Sequence, residues 1–208
     1  MKKLTLLLAS LMAFGAYAEG KATKQVFISP GVVSINIMHQ DKAIKLQRNQ
    51  DKSNKISSFY LKTARGKIQP MHPFTPHKVQ TIGELDMIEY IKQKSAGDDT
   101  IIVIDTRTPN WPVISGGIPT AVNIPYTKFK NKEKALEIME DQFGVQTDDI
   151  FDFSYAKTLV MYCNGAWCGQ TPTAINALLK YGYPAAKIKY YRGGMNAWKA
   201  LGLTTVRL

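Results

Sequence analysis

The chain reads as an α/β protein: a parallel sheet flanked by helices on both faces, with a small β-rich N-terminal extension. Three observations predict this. Ile101-Ile102-Val103-Ile104 and Thr158-Leu159-Val160-Met161-Tyr162 are continuous apolar runs, the pattern of strands buried on both faces. Helical periodicities alternate with such runs, and alternating strands and helices build parallel sheets. The charge also breaks near residue 80. Residues 19–80 carry 11 Lys/Arg against 3 Asp/Glu, whereas residues 81–208 carry 14 against 13. The expected division is therefore a leader over 1–18, a basic β-rich extension and linker over 19–80, and the α/β domain over 81–208.

The leader is expected because Lys2 and Lys3 precede an apolar run, Leu4 to Ala16, that is too short to span a bilayer. Ala16-Tyr17-Ala18 then sets small residues where a signal peptidase reads. A signal peptide cleaved after Ala18 implies an exported, periplasmic protein. No later stretch is long and apolar enough for a transmembrane helix, so the mature protein is expected not to span the membrane. With 208 residues and 45% hydrophobic content, the chain can bury a substantial core.

In the extension, Val32–Met38 and Ala43–Arg48 alternate apolar and polar residues around a turn at His39-Gln40-Asp41-Lys42. Ser57–Lys62 is a further extended candidate, and Pro70, Pro73 and Pro76 mark a linker. A two-stranded hairpin is marginal alone, so this one is expected to dock on the domain. In the domain, Ile82, Leu85, Ile88 and Ile91 recur at helical spacing, with Thr81 as the cap, Glu84 three positions on and Gly97 at the end. The apolar run Ile101–Ile104 predicts a strand with Asp105 at its carboxyl end. Ala121–Ile124 predicts a short strand, Lys132–Phe143 a helix and Thr158–Tyr162 a buried strand. Thr171 then caps a helix with Pro172 at its first position and Gly182 at its end. Ile188–Tyr191 and Met195–Leu201 complete the pattern as a strand and a helix. Ligands of such sheets bind at the carboxyl ends of strands, where Asp105 and Cys163 fall.

The segment that carries chemistry runs from Tyr162 through Cys163, Asn164, Gly165, Ala166, Trp167, Cys168, Gly169 and Gln170 to Thr171. A cysteine ends a buried strand, and a loop with two glycines leads into a helix. Loop amides that converge with a helix N-terminus form a nest for an anion, whether a thiolate or a bound substrate. Lowering a cysteine pKa from about 8.5 to about 6.5 takes roughly 2.7 kcal/mol. A helix dipole supplies about 0.3–1 kcal/mol, or about 2 when partly buried, so loop hydrogen bonds must carry much of the shift. Cys163 is the expected nucleophile, with Asn164 to Gln170 as its anion-binding loop. Cys163 and Cys168 are the only cysteines, and a bridge across five positions closes too little chain to staple a fold. Their pairing points to reactivity instead: Cys168 can act as a resolving thiol that closes a disulfide with Cys163.

Several stretches in order resemble the rhodanese-like domain family of sulfurtransferases. Ile101-Ile102-Val103-Ile104-Asp105-Thr106-Arg107 resembles the family's strand ending in Asp-x-Arg. Gly117-Ile118-Pro119-Thr120-Ala121-Val122-Asn123-Ile124-Pro125 resembles its Gly-His-Ile-Pro-Gly-Ala-x-Asn-Ile-Pro stretch. Val160-Met161-Tyr162-Cys163 resembles the strand into its reactive cysteine, Gly193-Gly194-Met195-Asn196-Ala197-Trp198 its Gly-Gly-x-x-Ala-Trp signature, and Gly202-Leu203 its usual ending. The resemblance implies a sulfurtransferase that carries sulfane sulfur as a Cys163 persulfide, taken from a small donor such as thiosulfate and passed to a thiol acceptor. It implies no cofactor. Asp105 and Arg107 are expected either at the edge of the site or bracing its loop, Trp111 covering the pocket and Trp167 lining it. The loop is longer than the family's common one and carries a second cysteine. Related phosphatases and arsenate reductases use Cys-x5-Arg, but that position here is Gly169, so no guanidinium waits for a phosphate.

Other chemistries fit poorly. His72 and His77 lie in the proline-rich stretch, at a spacing that matches no usual zinc site, so no metal is expected. The basic extension suits an acidic protein or an envelope polymer. An exported chain without an aromatic and basic reading surface is a poor nucleic-acid binder. The alternative to sulfur transfer is a thiol redox or binding module built on the Cys163–Cys168 pair.

Overall fold

The computed structural model describes residues 24–147 and 150–208; the expected leader, residues 1–18, lies outside them. Five parallel strands form the central sheet: β3 (Gln80–Ile82), β4 (Ile101–Asp105), β5 (Val122–Asn123), β6 (Thr158–Tyr162) and β7 (Ile188–Tyr191). Their order is β3-β7-β6-β4-β5, so β6, which delivers Cys163, is the middle strand. Its residues alternate between two cores: Leu159 and Met161 face one, Val160 and Tyr162 the other. Both cores are needed because a central parallel strand has no solvent face.

The helices cover both faces. On the first lie α3 (Lys132–Asp141) and α4 (Gln170–Lys180), through Ala135, Ile138, Met139, Ile175 and Leu178. On the second lie α1 (Glu84–Ser95) and α5 (Gly194–Ala200), through Met87, Ile88, Ile91, Met195 and Trp198. A short α2 (Asn110–Ser115) follows β4. No helix among the described residues is long and apolar enough to cross a membrane.

The extension forms an antiparallel hairpin, β1 (Ser34–His39) with β2 (Lys42–Gln47). Its turn is tighter than the four residues expected. Gln40 and Asp41 alone make it, at φ 46° and 60°, a two-residue turn whose twist suits a hairpin. The hairpin docks on the second face: Ile37 and Leu46 are buried beside Trp198 and Leu203. The C-terminal tail is sewn to it, with Asn49 donating to the Gly202 carbonyl at 2.7 Å and Thr204 to that of Gln47 at 3.0 Å. His39 bridges further, accepting the Thr120 N–H at 3.1 Å and meeting the Arg207 carbonyl oxygen at 3.1 Å.

Three local expectations fail for physical reasons. Residues 80–82 are strand rather than helix entry, because Ile82 fills an edge position beside Tyr191. The α1 cap is therefore Gly83, whose N–H donates to Asp86 Oδ2 at 2.9 Å, and Thr81 caps nothing. The helix expected to start after a Thr171 cap begins instead at Gln170 after Gly169. Thr171 is fully buried and turns inward, with its Oγ1 2.7 Å from that of Thr106. Ser57–Lys62 is not extended: Ser58–Tyr60 makes a single 3-10 turn that buries Tyr60.

Candidate active site

Cys163 leaves the end of β6 with its backbone clamped. The Met195 N–H donates to the Cys163 carbonyl at 3.0 Å, and the Asn196 N–H to that of Asn164 at 2.9 Å. Both donors are first-turn amides of α5, which the helix itself leaves unpaired. The approach demands glycine at 194, where φ is +54°; a Cβ there would stand 2.4 Å from the Cys163 carbonyl oxygen and 2.8 Å from the Gly165 nitrogen. The Gly193-Gly194 pair, read in the sequence only as part of a fold signature, thus props the reactive loop from below.

Asp105 and Arg107 resolve as a brace. Both are fully buried and paired: Arg107 Nη2 lies 2.5 Å from Asp105 Oδ2, and Nε donates to Asp105 Oδ1 at 2.8 Å. Arg107 Nη1 donates to Ser115 Oγ at 2.7 Å and reaches Asn164 Oδ1 at 3.5 Å, and Nη2 donates to the Gly116 carbonyl at 2.7 Å. A guanidinium has five N–H groups, and these contacts occupy all of them, so Arg107 keeps none for a substrate. It ties β4, α2 and the head of the reactive loop together, as a brace does.

The loop's own polar groups are likewise committed. Asn164 Oδ1 accepts from Tyr60 Oη at 3.0 Å, and the Cys168 N–H closes a turn onto the Gly165 carbonyl at 2.9 Å. The Ala166 carbonyl accepts the Gln69 N–H at 2.8 Å. Trp167 lies on Gly165, whose Cβ would come 2.6 Å from the ring. Trp111, expected over the pocket, packs edge-on against Phe59 with centroids 6.0 Å apart.

The two thiols are free and buried, Cys163 at 2% exposure and Cys168 at 8%. The Cys163 thiol points toward the Cys168 carbonyl oxygen at 3.5 Å, and Cys168 Sγ lies 3.7 Å from Gln170 Oε1. Charge divides between the sulfurs contrary to expectation. Burial pushes the Cys163 thiol well up, against the opposing pull of Thr171. The Cys168 thiol is brought down to about 7, first by the hydrogen bond from Cys163, then by the Asn164 and Gln170 amides and the Arg107 charge. The loop thus favours a thiolate on the second cysteine over the first.

A family model described as the rhodanese-like domain matches residues 87–201. The chain belongs to the rhodanese-like domain family. The chain is 28% identical over 115 residues to the HTH-type transcriptional regulator Rv0324 of Mycobacterium tuberculosis, spanning 55% of this chain and 41% of that regulator. The chain therefore matches less than half of that relative's length. Among solved structures, the rhodanese-like fold is matched by the single-domain sulfurtransferase RDL2 of Saccharomyces cerevisiae, at 22% identity and a TM-score of 0.42, covering 62% of this chain and 95% of that one. The As-Sb reductase of Leishmania major matches at 20% identity and a TM-score of 0.41, covering 60% and 80%. The BH2092 protein of Bacillus halodurans matches at 21% and 0.40, covering 58% and 72%.

Three contributors to the site had no signal in the sequence. Tyr60, Gly66 and Gln69 come from the extension and touch the reactive loop across about a hundred residues of sequence.

Proposed function

We propose that this protein is a sulfurtransferase that carries sulfane sulfur as a persulfide on Cys163. The observation that carries the reading is the placement of the Cys163 sulfur. It follows the central strand, its carbonyl is fixed by α5, and its thiol points at the Cys168 carbonyl oxygen at 3.5 Å. Burial holds the resting Cys163 thiol protonated, so the reaction requires it to lose that proton as the donor binds. The freed Cys163 thiolate attacks the outer sulfur of a donor such as thiosulfate. A sulfur–sulfur bond to Cys163 forms, the donor's own sulfur–sulfur bond breaks, and sulfite leaves with the electron pair. An acceptor thiolate then attacks the terminal sulfur and regenerates Cys163. The leader expected from the sequence over residues 1–18 supports placing this chemistry in the periplasm, which N-terminal sequencing of the exported protein would check.

The test is mass spectrometry of reduced protein after thiosulfate treatment. One added sulfur atom on Cys163, lost in Cys163→Ser together with transfer activity, is the expected result. Transfer surviving in that variant refutes the reading.

Two free cysteines in one loop, with the Cys163 thiol 3.5 Å from the Cys168 carbonyl oxygen, favour a second reading, a dithiol redox module. In it the Cys168 thiolate attacks the inner sulfur of a Cys163 persulfide, forming the Cys163–Cys168 disulfide and releasing hydrosulfide. Titration of the couple against glutathione separates the two. A potential near that of oxidising thiol carriers favours redox exchange, and a dithiol that stays reduced throughout favours transfer.

A further inference from the structure

The stretch from Ser57 to Met71 lies across the reactive loop rather than beside it. Four contacts hold it there. Tyr60 Oη donates to Asn164 Oδ1 at 3.0 Å, and the Gln69 N–H donates to the Ala166 carbonyl at 2.8 Å. Arg192 Nε, from beyond β7, donates to the Gln69 carbonyl at 2.9 Å. The Gly66 backbone presses on Trp167 so closely that a Cβ would stand 2.5 Å from its carbonyl oxygen and 2.9 Å from Cδ1 of its ring. In the loop that this stretch contacts, both thiols are nearly closed to solvent, at 2% and 8% exposure.

The stretch is lightly attached. Between Ser57 and Met71 only Tyr60 is buried, while Phe59, Leu61, Ile68 and Met71 are exposed. A segment with few buried contacts opens locally at small cost without unfolding the domain. It is also strongly cationic. No acidic residue occurs from Lys52 to Gly83, and Lys62, Arg65 and Lys67 are exposed. Among the described residues none of these three forms an ion pair.

We propose that residues 57–71 are a cationic strap that determines which reagents reach the thiol pair, admitting small sulfur-bearing anions and excluding bulky ones until it lifts. The fixed Tyr60, Gly66 and Gln69 contacts set the size limit. The three free cations draw anions to the opening by raising their local concentration. The proposal depends on the sulfur-transfer reading only for the nature of the cargo, since access to the thiols is a separate property.

Alkylation measures that access directly and requires no sulfur chemistry. Folded, reduced protein is treated with iodoacetamide, iodoacetate or a polyethylene-glycol maleimide, and modification of both cysteines is followed by mass spectrometry. Gly66→Ala forces the strap away from Trp167, and Tyr60→Phe removes an anchor without adding bulk. Each is expected to raise the bulky reagent's rate at least about tenfold, with the iodoacetamide rate changed far less. Circular dichroism of both variants confirms that the domain remains folded. The combined change Lys62→Gln, Arg65→Gln and Lys67→Gln should lower the ratio of iodoacetate to iodoacetamide rates by about threefold at low salt. Equal bulky-reagent rates in wild type and both strap variants overturn the size limit, and an unchanged anion ratio overturns the charge selection. Either result leaves the persulfide measurement standing, and a failed persulfide measurement leaves the strap standing.

Discussion

Gly194 supports the Cys163 carbonyl from so near that a Cβ at 194 would stand 2.4 Å from its oxygen, on a backbone at φ +54°. Gly194→Ala therefore meets two obstacles, a left-handed conformation and a clash with backbone that cannot yield. We expect a loss of about 2–4 kcal/mol in denaturant unfolding, with sulfur loading abolished because the loop must shift. Gly169→Ala is the matched control: nothing lies within 4 Å of its Cβ and its φ is −83°, so its stability should change by less than about 1 kcal/mol.

The buried pair of Arg107 and Asp105 gives an asymmetric expectation. Arg107→Ala leaves a carboxylate in the core without its partner and should cost about 3–5 kcal/mol. The double variant Asp105→Leu with Arg107→Met removes both charges and should recover much of that loss, though Ser115 and Asn164 lose a donor. Urea unfolding of the three proteins checks this; a double variant no better than Arg107→Ala would show that the brace acts through hydrogen bonds rather than charge.

Cys168, held at about 7, should be the thiolate that forms first as pH rises. Its alkylation rate is expected to climb through neutrality and level off above it. In Cys163→Ala the largest cause of the lowering is gone, so the midpoint should move up toward the ordinary cysteine range of about 8.5. The stability contributed by this thiolate is complete above the unfolded thiol's value and is lost as pH falls through about 7. A midpoint that does not move in Cys163→Ala would mean that the loop amides alone hold the charge.

Leu46 is fully buried in the second core although it belongs to the extension. Leu46→Ala should cost about 2–5 kcal/mol and lower a single thermal transition of the whole protein. Two separate transitions, with only the first shifted, would show that the hairpin melts independently.

The strands β4 and β6 were legible because a strand covered on both faces must be a continuous apolar run, as Ile101–Ile104 and Leu159–Tyr162 are. Cys163 was legible as a site because it ends such a run before a glycine-containing loop. The edge strand Gln80–Ile82 was not, since three residues show no period and Ile82 also fits the helical spacing of the next segment. The cap at Thr171 misled for a related reason: a threonine before proline reads as a helix start, yet its hydroxyl was needed by Thr106 in the interior. The lowered Cys168 thiol follows from its hydrogen bonds and the raised Cys163 thiol from its burial, and local sequence carries no measure of either. The extension's grip on the loop was hidden by distance, as no pattern in residues 57–71 points to partners a hundred positions away.

The strap's contacts also set an order on the chain's maturation. Tyr60 meets Asn164 across 104 positions, and Gln69 meets Arg192 across 123. The strap is synthesised before the loop it covers, but it has nowhere to rest until β7 and the residues after it have joined the sheet. Closures of that span are entropically costly and belong to the slow, non-local part of folding. A nascent or partly folded molecule consequently exposes both cysteines, and a finished one conceals them. Resistance of the thiols to a bulky reagent is thus a readout of completed folding, and oxidants encountered during maturation meet these cysteines at their least protected.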